Sequence, residues 1–269
     1  MSAPYLLMHR NPSGGLGNQL FQYNFLAQLA HSSKVNFLHC GFPKLSYFDI
    51  QKESKWKSKI FSMGSMRISL ETIEKRGWEQ TIDEMQQTFS IKKSVSLNPG
   101  ILGEYYKEVT NLDPKAILKL YSKKIDDADN QLLAVHFRGT DFHQWNPRAV
   151  MNLDFYHDAV ALAKQKNRGL NRIKVFTDDG DSETVSQLVR THGAEISCGS
   201  EIEDFEEMMG AYSIVASPST FVFWSAVLGN CKEIFYSREW LDYASESKYK
   251  FWIDLRNGLL PYFPKVMEV

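Results

Sequence analysis

Three residue types suited to handling a charged ligand fall within six positions: His136, Arg138 and Asp141, in His136-Phe137-Arg138-Gly139-Thr140-Asp141. They stand at the end of an apolar run, Leu132 to Phe137. A second run, Ile173 to Phe176, ends in Asp178-Asp179-Gly180, and a third, Ile214 to Ala216, ends in Ser217, Ser219 and Thr220. Arg138 offers a planar, permanently charged fork suited to phosphate. Ser219 and Thr220 open a helix, whose free backbone N–H groups and dipole favour an anion. Together these groups describe a seat for a pyrophosphate. Each also has a plain structural reading. Ser219 serves as an N-cap, Arg138 bridges to Asp141, Asp178-Asp179-Gly180 makes a turn that caps the next helix, and His136 is a satisfied core histidine. Convergence, not any single residue, carries the functional reading.

The apolar runs read as strands of a parallel sheet, because they are short, continuous and separated by helical patterns. Leu132–Phe137 is followed by a helix capped at Asn152, with Phe155, Ala159, Leu162 and Ala163 on one face. Then come a strand at Ile173–Phe176, a helix from Ser182 to Thr191, a strand at Ala194–Cys198 and a short helix from Asp204 to Ala211. A strand at Ile214–Ala216, a helix from Ser219 to Gly229 and a strand at Glu233–Tyr236 complete the series. Such alternation predicts a doubly wound α/β sheet, and ligands of such sheets sit outside the carboxyl ends of the strands. The N-terminal part opens alike, with a strand at Tyr5–Met8, a turn-rich loop from Asn11 to Gly15, a helix over Asn18–Ala30 and a strand at Val35–Leu38. Residues 43 to 112 show no clean periodicity. Asp113-Pro114 starts a helix that ends near Lys124, and Asp126 to Asn130 reads as a linker. The expected domains are therefore 1–126 and 127–269.

The composition places the chain among globular proteins: 269 residues, 43% hydrophobic and 23% charged. Lys+Arg of 31 against Asp+Glu of 32 leaves a net charge of -1. A phosphate-driven nucleic-acid binder shows a basic excess, which is missing here. Any anionic ligand is held by a few placed groups. Cys40, Cys198 and Cys231 are widely spaced and form neither a CxxC metal pair nor a disulfide framework, which fits a reduced, cytoplasmic setting. Neither a targeting segment nor a spanning segment is expected, since the most apolar run, Phe221 to Leu228, is far short of the ~20 residues a span needs. Peripheral attachment to a membrane stays open.

Gly14-Gly15-Leu16-Gly17-Asn18-Gln19 lies between strand and helix, where Gly15, Gly17 and Asn18 let backbone come close to a ligand. It is not a dinucleotide fingerprint, because Leu20 stands three residues after Gly17. Nor is it a P-loop, since no Gly-Lys-Ser/Thr follows. Extended to Gly14-Gly15-Leu16-Gly17-Asn18-Gln19-Leu20-Phe21-Gln22-Tyr23, it resembles the GGLGNQMFQYA opening of the α-1,2-fucosyltransferases. Val135-His136-Phe137-Arg138-Gly139-Thr140-Asp141 resembles their HxRRGD motif, with a Thr-Asp ending similar to that of the related α-1,6-fucosyltransferases. Phe176-Thr177-Asp178-Asp179 resembles FSDD, Asp204-Phe205-Glu206-Glu207-Met208 resembles DLxLM, and Ser219-Thr220-Phe221-Val222-Phe223-Trp224 resembles STFSWW. The matches occur in order from residue 14 to residue 224. The second motif arginine is replaced by Gly139, and Gly103-Glu104-Tyr105-Tyr106 only faintly resembles a family GYW/F segment in the region that shapes the acceptor pocket.

This resemblance implies a GT-B fold of two facing Rossmann-like domains and an inverting transfer of L-fucose from GDP-L-fucose to a sugar hydroxyl. It further implies a galactoside acceptor with α-1,2 linkage and no metal or other cofactor. The implied donor contacts are Gly15, Gly17, Asn18, His136, Arg138, Asp178, Asp204, Ser219 and Thr220, with Arg138 on the β-phosphate and Asp204 reading guanine. Asp204 has the alternative of merely capping its helix. Inversion by direct displacement asks for a base near the acceptor hydroxyl. Asp141 and His143 are the candidates beside Arg138, and Asp141 reads equally well as the group that orients Arg138. Two other readings stay open: a transferase using another GDP-sugar or a protein acceptor, and an inactive nucleotide- or glycan-binding protein.

Overall fold

The computed structural model describes residues 4–8, 14–39, 41–50, 65–69, 75–76, 78–97, 114–121, 129–246 and 265–269. The chain divides into two compact units, Met1–Ser122 and Lys123–Val269. Both are α/β, and both are built on parallel sheets.

In the first unit β1 (Tyr5–Met8) leads to α1 (Leu16–Ser32) and β2 (Asn36–His39). Two strands of three residues each follow, β3 (Met66–Ile68) and β4 (Val95–Leu97), with α2 (Trp78–Ser90) between them and α3 (Pro114–Lys119) after them. The sheet order is β2-β1-β4-β3, every pairing parallel. A central strand buried on both faces must be apolar throughout, and Leu6, Leu7 and Met8 of β1 are at most 1% exposed. The strands β3 and β4 lie in the stretch where sequence periodicity is silent.

The second unit carries β5 (Asp129–Phe137), β6 (Arg172–Thr177), β7 (Glu195–Ile196), β8 (Ala211–Ala216), β9 (Glu233–Tyr236) and β10 (Lys265–Glu268). Its helices are α4 (Phe142–Trp145), α5 (Leu153–Lys166), α6 (Glu183–His192), α7 (Glu201–Gly210), α8 (Thr220–Leu228) and α9 (Arg238–Ser245). The order is β10-β9-β8-β5-β6-β7, all parallel. Counted from β5, this is the 3-2-1-4-5-6 order of dinucleotide-binding sheets. The core of β5, Leu132 to Val135, is at most 1% exposed. In α5, Asn152 accepts from the Phe155 N–H, and Phe155, Tyr156, Ala159, Val160 and Ala163 face the sheet.

Several expectations shift. The linker expected over Asp126–Asn130 overlaps β5, whose pairing begins at Asp129 with Ala211. The expected strand Ala194–Cys198 pairs only over Glu195–Ile196. The helix expected from Asp204 begins at Glu201. The helix opening at Asp113-Pro114 runs to Lys119, well short of Lys124. Asp113 itself, residues 122–128, residues 11–13, Cys40 and the segment 103–106 lie outside the described residues. Cys198 and Cys231 are both free thiols. Among the described residues, no helix is long and apolar enough to cross a membrane.

Candidate functional site

From β5 the chain winds outward through β6 and β7, then returns to β8 on the other side of β5. The carboxyl ends of β5 and β8 thus flank a topological switch point, the crevice where open α/β sheets bind ligands. Here His136 and Ala216 are opposite in register. The Ser217 N–H donates to the His136 carbonyl at 3.2 Å, and His136 Nδ1 lies 2.7 Å from Ser217 Oγ. The Tyr156 hydroxyl also donates to the His136 carbonyl, at 3.3 Å. Burial, helped by Arg138 and opposed by Asp178, lowers the His136 pKa to about 3. The imidazole is therefore neutral, and its position is that of a core histidine bonded across the switch point.

The loop after β5 is held from the end of β6. Asp178 Oδ1 accepts from the Gly139 N–H at 3.1 Å, and Oδ2 accepts from the Thr140 hydroxyl and faces Arg138 Nε at 3.1 Å. Burial would raise the Asp178 pKa, but Thr140, Gly139 and Arg138 outweigh it and hold the carboxyl below its ordinary value. An ionised Asp178 thus fastens the loop that carries Arg138. Among the described residues, no group of three or more His, Cys, Asp and Glu is placed to hold a metal ion.

Arg138 itself is gripped on a second side. Its Nε donates to Asp141 Oδ1 at 2.9 Å and its Nη2 to Asp141 Oδ2 at 3.1 Å. The guanidinium also stands over the Phe142 ring, 5.6 Å from its centre. The side chain remains 34% exposed and that of Asp141 61%, so an incoming anion can reach the fork. Of the two candidate bases, Asp141 accepts from Arg138 through both oxygens, while His143 is exposed on α4.

Gly139 occupies the position of the second motif arginine. A Cβ there would stand 2.5 Å from Asp179 Oδ2 and 2.9 Å from Phe137 Cε1. Phe137 is 2% exposed and cannot yield freely. A side chain at this position therefore requires Phe137, at the end of β5, and Asp179, in the loop after β6, to shift.

At β8 the chain turns sharply, the Ser219 N–H donating to the Ser217 carbonyl at 2.7 Å. Ser219 then caps α8, its Oγ accepting from the Phe221 N–H at 3.3 Å. The cap uses a lone pair of the oxygen and leaves the O–H proton for another partner. The capping and anion-binding readings of Ser219 are compatible. Thr220 is the first helical residue. Beside α8 runs α7, joined to it by Phe205 and Phe221 with ring centres 5.3 Å apart.

Asp204 does not cap α7. Ser200 does: its side chain accepts from the Glu203 N–H, and Glu203 reaches back to the Ser200 N–H in a capping box. Asp204 instead accepts from the Ser197 hydroxyl at 2.6 Å. Burial raises its pKa, with Ser197 and Lys174 opposing. Ser197 escaped sequence analysis because the strand was expected to extend past it. Ser200-x-x-Glu203 is a legible capping signature once the helix start is placed correctly.

In the first unit, Gly14 has a left-handed φ of +83°, and a Cβ there would meet Asn18 Nδ2 at 2.5 Å. Gly15 is the N-cap of α1 and offers no side chain to it. The Gln19 side chain donates to the Gly14 carbonyl at 3.0 Å and accepts from the Lys44 N–H at 3.0 Å. Gln19 therefore ties the glycine loop to the turn after β2. Gly17 is buried in the first turn of α1, with Asn18 next to it. The structure gathers His136, Arg138, Asp141, Asp178, Ser217, Ser219 and Thr220 on one sheet edge of the second unit, while Gly15, Gly17 and Asn18 belong to the first.

No family model and no curated protein sequence matches this chain. Solved structures do match it. The chain is similar to POFUT1 in complex with GDP-fucose, with a TM-score of 0.53, 12% identity, and 86% of this chain and 96% of that one covered. It is also similar to the E. coli heptosyltransferase WaaC with ADP, with a TM-score of 0.50, 11% identity, and 98% and 93% covered. The chain has the α/β fold of these GT-B glycosyltransferases.

Proposed function

We propose that this chain is a GDP-L-fucose-dependent glycosyltransferase that moves fucose, with inversion, to a hydroxyl of a glycan acceptor. A terminal galactoside with α-1,2 linkage is the acceptor the motif resemblance favours. The observation that carries the reading is the grouping of Arg138, Ser219 and Thr220 at the β5/β8 switch point. These are the residues whose motifs resemble the phosphate contacts of fucosyltransferases. The similarity to a structure holding GDP-fucose supports the same donor.

The chemistry follows from charge. As the bond from fucose to the β-phosphate oxygen breaks, negative charge grows on the departing GDP. Arg138 and the N–H groups at the start of α8 supply preorganised positive potential there, work worth ~2.7–4 kcal/mol per donor in oxyanion-type sites. Asp178 and Asp141 hold the guanidinium in place. His143, exposed next to this cluster, is the base for the acceptor hydroxyl, and Asp204 reads guanine. No metal or other cofactor is required in this scheme.

The test is a glycan array incubated with labelled GDP-fucose, GDP-mannose and UDP-galactose in parallel, with and without EDTA. The expected result is label only from GDP-fucose, concentrated on galactose-terminated glycans and insensitive to EDTA. Label from GDP-mannose alone would overturn the donor assignment.

A further inference from the structure

Two helices of the second unit meet through a pair of half-buried histidines that the candidate site does not use. His157 Nδ1 on α5 lies 2.7 Å from Nε2 of His192, the last residue of α6. The ring centres are 4.9 Å apart, close to that separation plus the two ring radii, so the nitrogens point at each other. Such a bond needs a proton on one nitrogen and a lone pair on the other. One further proton, taken up on an outer ring nitrogen, keeps the bond and adds charge to it. A second leaves both facing nitrogens as donors, and two positive rings in contact repel.

Little else holds this edge of the sheet. Of the ten residues of α6, Val185 and Leu188 are the buried ones. Gly193, with a left-handed φ of +64°, turns the chain into β7. That strand is the last of its sheet and pairs with β6 through Lys174–Glu195 and Val175–Ile196, extended by the Ser197 N–H to the Val175 carbonyl at 2.8 Å. Burial, then His157 and Lys164 of α5, hold the His192 pKa below its ordinary value. Arg190 of α6 is engaged by Glu183 and Lys174 of β6 by Glu207, while Asp154 and Asp158 of α5 and Glu195 of β7 are exposed. Lys164 thus adds a third positive charge against which a second proton must enter the pair.

We propose that the His157–His192 bond is a proton-operated clasp that keeps the C-terminal turn of α6 and β7 on the sheet, and that the pair's second proton releases them. The released segment leads to Ser197, the partner of Asp204. The clasp stands without the donor reading, and a link from acid to base recognition is the one consequence that rests on it.

The experiment follows amide hydrogen exchange in the full chain from pH 7 to pH 4, each rate corrected for its intrinsic pH dependence. Amides of Leu133 to Val135 in β5 report global opening, including the share due to His136. Protection at Val189 to Ile196 is read relative to them. This relative protection should be flat near pH 7 and then fall by up to about tenfold per pH unit, the slope for one proton taken up on opening. His157→Asn and His192→Gln each place a carboxamide at the facing nitrogen, able to donate to a neutral ring or accept from a protonated one. Both variants should therefore hold the edge throughout this range. Relative protection that stays flat in the parent overturns the clasp, as does an undiminished pH dependence in either variant that folds. None of these readings involves GDP, so failure of the donor reading leaves them unchanged.

Discussion

His136 Nδ1 and Ser217 Oγ, 81 residues apart in sequence, lie 2.7 Å apart across the switch point and tie the end of β5 to the turn that starts α8. This contact ties the Arg138 loop to the α8 N-terminus, the two halves of the proposed anion seat. It also has a consequence for stability. The folded His136 pKa is lowered to about 3 against an ordinary 6.5. Between these values the unfolded chain takes up a proton that the folded chain refuses, so stability falls as the pH drops from about 6.5. The slope is about 1.4 kcal/mol per pH unit for one such group. Denaturant unfolding at pH 7 and pH 5 should show a loss of about 2 kcal/mol that shrinks in His136→Asn. His192, lowered by burial with His157 and Lys164 adding to it, contributes in the same direction in both proteins and so drops out of the comparison. An equal pH effect in the two proteins would mean that His136 titrates normally.

In the proposed function, Arg138 is the residue on which the donor site depends. Replacement by Lys keeps the charge but loses the fork, and with it the paired bonds to Asp141. Both Arg138→Ala and Arg138→Lys should fold, because a partly exposed ion pair contributes only ~0–1 kcal/mol. Both should lose more than tenfold in GDP affinity by calorimetry. Near-normal binding in Arg138→Lys would assign the phosphate to another cation.

GDP should also raise the melting temperature without added divalent metal. Ligand at ~100 times its dissociation constant adds ~2.7 kcal/mol. A curve moved only in the presence of manganese would overturn the metal-independent site.

Asp141 stands bonded to Arg138 through both carboxylate oxygens, which separates its two readings experimentally. A base acts on the acceptor, so its loss lowers kcat and spares GDP. An orienting group acts through Arg138, so its loss weakens GDP and lowers transfer together. Asp141→Asn is expected to lower GDP affinity and transfer by similar factors, roughly three- to tenfold for a charge-assisted bond at this exposure. Unchanged GDP affinity with collapsed kcat would restore Asp141 as the base.

The edge that carries the candidate site was legible because the ends of β5 and β8 are apolar runs closed by polar residues, and β6, with Lys174 inside it, still ends in Phe176 before Asp178. Reading the residues after each run found Arg138, Asp178 and Ser219. Strands β1 and β9 lie where the sequence places them, Tyr5–Met8 and Glu233–Tyr236. Others were too short to show a period: β3 and β4 have three residues each and β7 has two. What the sequence cannot display is a partner chosen by packing. That Asp178 fastens Gly139 and Thr140, 39 and 38 residues away, follows only from β5 pairing with β6. The same holds for the second motif arginine, whose absence reads as a lost phosphate arm until Gly139 is seen against Asp179.

Restoring that arginine is accordingly expected to do harm. Gly139→Ala already places a Cβ against Phe137 and Asp179, and overpacking of this kind costs ~1–3 kcal/mol. Gly139→Arg should unfold at lower denaturant than the parent and bind GDP no better. Tighter GDP binding at unchanged stability would show that the loop can open to admit a second cation.

The last expectation concerns Asp204 and base recognition. A carboxylate can accept from both guanine N1–H and the 2-amino group, whereas adenine presents no such pair. Helix capping no longer competes as an explanation, because Ser200 and Glu203 cap α7. What Asp204 does in the free protein is accept from Ser197 at 2.6 Å, a bond that fixes the carboxylate. Asp204→Asn keeps an acceptor for Ser197 but turns half of the guanine-facing group into a donor. It should weaken GDP by ~1.5–3 kcal/mol, the range for hydrogen bonds to charged groups, and leave ADP binding nearly unchanged. Sites built around one polar contact discriminate strongly in this way. Ser200→Ala is the control: it should cost ~1 kcal/mol of stability through the lost cap and leave the ratio of GDP to ADP affinity alone. If Asp204→Asn binds GDP as tightly as the parent while Ser200→Ala behaves as stated, guanine is read by another residue.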